Sequence, residues 1–142
     1  MRREVLYNMR RRWFSLTVIV VMIFMLASAA AFSAKIKNIN TEKANELMEQ
    51  RNGDQDFVIL DVRTPGEFSE GHIENAVNLD FHADAFADEL ESLDKKKTYL
   101  IYCRTGGRSG NALKMMKEKG FKDVYNMEGG ITDWSKSYAV VK

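Results

Sequence analysis

Cys103 is the only cysteine in the chain, and it opens the run Cys103-Arg104-Thr105-Gly106-Gly107-Arg108-Ser109. The apolar stretch Tyr99-Leu100-Ile101-Tyr102 leads into it and a helical pattern leads out. That order sets a thiol at the mouth of a glycine-rich turn, where backbone N–H groups converge on one point. The positive end of the next helix aims at the same point. Arg104 and Arg108 add cationic charge. A thiol so placed is expected to ionise near neutral pH and to act as a nucleophile or as a carrier of sulfur-bound cargo. Together these effects are expected to bring it from about 8.5 to near or below 7. A lone cysteine is more often a buried, inert core residue. Its place between a strand end and a Gly-Gly turn reverses that expectation.

The elements that hold this loop can be read on either side. Asn40 or Thr41 caps a helix running through Gln50. Phe57-Val58-Ile59-Leu60 is a continuous apolar run and predicts a buried strand ending at Asp61. Thr64-Pro65-Gly66 predicts a turn into a short helical piece around Glu67 and Phe68. Ala76–Leu79 is a second strand, 84–93 a helix and Thr98–Tyr102 a third strand. Ser109 is positioned to cap a helix through Lys119, which Gly120-Phe121 stops. Asp123–Asn126 is another strand, and a last helix after Gly129-Gly130 carries Ile131, Trp134 and Tyr138 on one side. Strands alternating with helices predict an α/β fold with a parallel sheet covered on both faces. Ligand sites in such sheets lie beyond the carboxyl ends of the strands, where Cys103 falls.

Residues 1–34 have a different composition. Five arginines stand against the single acid Glu4, and no charge follows from Trp13 to Ala34. A basic start, an apolar middle and a small-residue end predict an export signal, with cleavage after Ala29 or Ala31. Residues 13–34 are also long enough to span a bilayer as an N-terminal membrane anchor. On either reading the remaining domain, 35–142, is expected to work outside the cytoplasm, in a periplasmic or similar compartment. Removing residues 1–34 lowers the basic count from 21 to 16 and the acidic count from 20 to 19, so net +1 becomes −3. Apart from Lys95-Lys96-Lys97 no basic tract remains, which argues against nucleic-acid binding. His72 and His82 with one cysteine make no convincing metal site, and no cofactor is called for. One cysteine also forbids an internal disulfide.

These motifs resemble the single-domain rhodaneses. Asp61-Val62-Arg63, Glu67-Phe68, Gly71-His72-Ile73 and Ala76-Val77-Asn78 are similar to the family's first signature. Tyr102-Cys103 with its loop, Gly120-Phe121, Val124-Tyr125, Glu128-Gly129-Gly130-Ile131 and Trp134 are similar to the second. The chain departs from the family at Glu74-Asn75, where Pro-Gly is common, and at Asp80, where proline is common. The resemblance implies a rhodanese-like, mostly parallel five-stranded sheet with helices on both faces. It also implies a thiosulfate sulfurtransferase. Cys103 would carry sulfane sulfur as a persulfide and pass it to cyanide, a small thiol, sulfite or a partner protein's thiol. Arg104, Thr105, Gly106, Gly107, Arg108 and Ser109 would bind the donor, Gly106 and Gly107 by letting the backbone bend. Asp61 and Arg63 would brace the neighbouring loop, and His72 would serve a structural hydrogen bond. The competing class is a rhodanese-fold binding module or partner-dependent sulfur carrier. The intact charged loop argues against a module freed from catalysis. A cysteine-phosphatase reading fails on spacing. Those enzymes need five residues between cysteine and arginine, whereas four separate Cys103 from Arg108 and Ser109 takes the arginine's place.

Overall fold

The computed structural model describes residues 34–142, and Ala34–Lys142 forms one compact unit. Apart from Ala34, the segment read as export signal or anchor lies outside the described residues. Among the described residues no helix is long and apolar enough to cross a membrane.

The strands are β1 (Lys35–Ile39), β2 (Phe57–Asp61), β3 (Val77–Asn78), β4 (Thr98–Tyr102) and β5 (Asp123–Met127). They form one sheet in the order β1-β5-β4-β2-β3, with every neighbouring pair parallel. The helices are α1 (Thr41–Gln50), α2 (Pro65–Glu70), α3 (Phe86–Ser92), α4 (Gly107–Glu118) and α5 (Gly130–Trp134). The five-stranded α/β architecture is as expected, with a fully parallel sheet.

Strand β4 lies at the centre and all five of its residues are buried, as a strand covered on both faces requires. Its side chains alternate between two cores. Tyr99 and Ile101 join Leu60, Val124, Phe86 and Leu90 of α3, and Ala112 and Met116 of α4. Leu100 and Tyr102 face Ile39, Ile59 and Met127, with Ala44 of α1 and Trp134 of α5. Burying this many apolar side chains on both faces, at roughly 1.5–3 kcal/mol each, is the main force holding the sheet.

Strand β1 has no counterpart among the strands predicted individually. Its sequence, Lys-Ile-Lys-Asn-Ile, buries only Ile39. It is an edge strand, hydrogen-bonded in register with β5 from Lys35↔Asp123 to Ile39↔Met127. Lysines on such an edge discourage pairing with another chain, and they also hide the strand's apolar signal. Asn75 has φ 63, a left-handed backbone that glycine adopts more readily.

Candidate active site

Strand β4 ends at Tyr102, and Cys103 is the next residue, buried to 1% exposure at the carboxyl end of the sheet. The chain then turns through Arg104, Thr105 and Gly106. Gly106 has φ 98, a left-handed conformation that favours glycine, and it is the N-cap of α4. This tight turn folds the loop back over the sulfur. The Gly106 N–H donates to Cys103 Sγ at 3.1 Å, and the Ser109 hydroxyl lies 3.5 Å from the same atom.

Two expectations are corrected here. Ser109 does not cap α4. The helix starts at Gly107, two residues earlier, because left-handed Gly106 closes the turn. Ser109 therefore sits inside the first turn, fully buried, with its hydroxyl turned to the sulfur and to Gly106 O at 3.3 Å. Gly107 has no positive φ and open space where a Cβ would stand, so the bend rests on Gly106.

Burial of Cys103 disfavours the thiolate. Hydrogen bonds from the Ser109 side chain and from the backbones of Ser109, Thr105 and Gly106 outweigh it and hold the thiol below its ordinary value. The cradle stabilises negative charge on one sulfur atom.

The loop is fixed from behind by α5. The N–H of Ile131 donates to Cys103 O at 2.9 Å, and that of Thr132 to Arg104 O at 3.1 Å. Gly130 makes this approach possible. It has φ 58, and a Cβ there would run into Cys103 O and stand 2.6 Å from Arg104 O.

The charged residues divide into paired and unpaired. Asp61 and Arg63 are both buried. Arg63 Nη2 donates to Asp61 Oδ2 at 2.7 Å and to Gly71 O at 2.7 Å, tying the β2 end to the turn before His72. Arg108 is engaged by a residue not assigned to the site from sequence. Its Nη1 and Nη2 donate to Glu67 Oε2 and Oε1, each at 2.7 Å. Glu67 also closes a capping box at the start of α2, accepting from the Thr64 N–H at 3.1 Å. Hydrogen bonding to Arg108, against burial and helped by Thr64, brings the Glu67 carboxyl from 4.5 down to about 2. Arg104 and Thr105 are exposed, and Arg104 has no salt bridge among the described residues.

Neither histidine hydrogen-bonds to Cys103. His72 stacks on Phe68 at 3.8 Å between ring centroids, and its Nδ1 lies 3.0 Å from Phe68 O. His82 is exposed. Among the described residues no three His, Cys, Asp or Glu side chains converge on one point.

The structure thus gathers Gly106 and Ser109 on the Cys103 sulfur and sets Arg108, held by Glu67, beside them, with Asp61 and Arg63 bracing the adjacent loop. Glu67 and Gly130 were missed as site residues. The Thr64-x-x-Glu67 spacing announces a helix cap. Nothing in it announces contact with a guanidinium 41 residues away.

Known proteins share sequence and fold with this chain. YtwF of Bacillus subtilis is 39% identical over 100 residues, covering 70% of this chain and 91% of its own. Thiosulfate sulfurtransferase GlpE of Pseudomonas syringae is 35% identical over 104 residues, covering 73% and 92%. The crystal structure of a rhodanese-related protein from Thermoplasma volcanium superposes with a TM-score of 0.63 at 28% identity, covering 74% of this chain and 97% of that one. The model of the rhodanese-like domain matches residues 43–137. With that match spanning strands β2 to β5, the cysteine loop and the helix behind it, the chain belongs to the rhodanese-like domain family.

Proposed function

We propose that the protein is a sulfurtransferase that moves sulfane sulfur from a thiosulfate-like donor to a thiophilic acceptor through a persulfide on Cys103. The observation that carries this is the sulfur cradle: one buried thiol accepts the Gly106 N–H at 3.1 Å, with the Ser109 hydroxyl at 3.5 Å. Membership of the rhodanese-like family and the similarity to GlpE support transfer of sulfur in general. The donor and acceptor are part of the proposal.

In the first half-reaction the Cys103 thiolate attacks the outer sulfur of thiosulfate. An S–S bond forms to Cys103 as the sulfur–sulfite bond breaks, and the electron pair leaves with sulfite. The product persulfide keeps one negative charge on its outer sulfur, where the donors of the loop stabilise it. In the second half-reaction an acceptor such as cyanide or a thiolate attacks that outer sulfur and Cys103 leaves as thiolate. No second cysteine is present to release the sulfur as an internal disulfide, so the acceptor is external: a small molecule or a partner protein's thiol. The basic and apolar run of residues 1–34 supports a place for this chemistry outside the cytoplasm.

The test is thiocyanate formation from thiosulfate and cyanide by residues 34–142, beside Cys103→Ser. Steady turnover lost in the variant is expected. Without turnover, intact mass after thiosulfate treatment decides between alternatives. A gain of one sulfur atom identifies a carrier that needs a partner, and no gain removes the persulfide reading.

A further inference from the structure

Three guanidinium groups surround the sulfur loop, and two of them are already matched by carboxylates. Arg63 pairs with Asp61, and Arg108 pairs with Glu67 through two bonds of 2.7 Å each. Arg104 is exposed and has no carboxylate partner among the described residues. Ser109, the neighbour of Arg108, reaches the sulfur. Arg108 itself interacts with the Cys103 thiol, which favours its charged form, so the Glu67–Arg108 pair, which bridges α2 to α4, lies beside the reacting atom.

We propose that Glu67 is a positioning and specificity-determining residue. It fixes the Arg108 guanidinium beside Cys103 and offsets its charge, so that the donor site presents one uncompensated cation, Arg104. The inference rests on the persulfide reading for its substrate class: a donor carrying one negative charge near the transferring sulfur is favoured relative to a dianion. A two-bond carboxylate–guanidinium contact holds geometry as well as charge, which a single surface contact does not. Other charged or titratable groups around the loop are Arg104 on it, Asp61 and Arg63 at the end of β2, Tyr102 beside Cys103, Lys114 on α4 and Glu128 ahead of α5. Among the described residues none of them hydrogen-bonds to the Glu67–Arg108 pair, although Arg63 feels the Glu67 charge at longer range.

Glu67→Gln suits the test because glutamine also closes a capping box, so the start of α2 is kept while the charge is removed. The chain has one cysteine, so the thiolate ultraviolet absorbance below the tyrosine range titrates Cys103 alone. Removing the carboxylate leaves Arg108 unbalanced and favours the thiolate, so the titration midpoint moves to lower pH. The shift should vanish when Arg108→Gln is already present, and Glu67→Asp, which keeps the charge, should restore the original midpoint. With donors, the KM for dianionic thiosulfate should fall about fivefold in Glu67→Gln, the scale of one added charge at a partly exposed site. The KM for a monoanionic aryl thiosulfonate should fall less. No shift of the midpoint, or an equal shift with Arg108→Gln present, overturns the coupling. Equal KM changes for both donors overturn the role in specificity. If the wild type takes sulfur from neither donor, the sulfurtransferase reading and its donor preference fail, while the thiolate titration, which needs no donor, still decides the coupling.

Discussion

At the scale of the residue, the site depends on where one proton sits. The reaction proposed at Cys103 requires the thiolate, so the rate should fall as pH drops through the thiol's pKa. Hydrogen bonds to the sulfur lower that pKa against the opposing effect of burial. Ser109→Ala removes the side-chain donor, the largest of the favourable contributions, and leaves burial in place. The acid limb of kcat/KM should therefore move to higher pH, with a loss at neutral pH of about tenfold, the scale of one hydrogen bond to a charged group. A pH–rate profile for wild type and variant checks this. The proposed nucleophile was legible in the sequence, because a lone cysteine between an apolar run and Gly-Gly has few other roles. The work of Ser109 was not, because a serine at a helix start reads first as a cap. Only the left-handed turn at Gly106 shows that it lies inside the first turn.

At the scale of the element, the sulfur loop is held between two helices it does not belong to. Behind it, α5 comes close enough to donate to the carbonyls of Cys103 and Arg104 because Gly130 has no side chain. Gly130→Ala combines a left-handed φ with a backbone clash and should cost about 2–4 kcal/mol in denaturant unfolding. Gly107→Ala, with ordinary φ and open space, should be neutral to within about 0.5 kcal/mol. In front, α2 is tied to α4 by Glu67 and Arg108. The Glu67 carboxyl titrates at about 2 in the folded protein against an ordinary 4.5. The contact's stabilisation is therefore complete above about 4.5 and is lost as pH falls toward 2. Acid titration of stability should show this loss in the wild type and a smaller one in Glu67→Gln. The turn into α2 was legible as Thr64-Pro65-Gly66, while the capping box that Thr64 forms with Glu67 is seen in the structure. The partner across the loop was not legible, since sequence spacing says nothing about which helices meet. The chain departs from the family's Pro-Gly at Glu74-Asn75, and Asn75 nevertheless adopts a left-handed backbone.

At the scale of the whole molecule, the two cores share β4, so neither face can open without exposing the other. Residues 34–142 should unfold in one cooperative transition, with a stability of about 5–10 kcal/mol, typical of a domain this size. Coincident denaturant curves from far-ultraviolet circular dichroism and from the fluorescence of Trp134, which is buried in the second core, check this. What the sequence alone determined is local. It identified the thiol, the glycine turn and most of the strands and helices, because apolar runs and helical spacing reflect the burial of neighbouring residues. Its motifs also carried the resemblance to rhodaneses. The tertiary structure decided the rest. It placed polar edge strand β1 against β5, it seated Gly130 on the backbone of Cys103, and it gave Arg108 to Glu67. Each of these is a contact between residues far apart in the chain. Such contacts are set by how the layers pack and leave no period or spacing in the sequence.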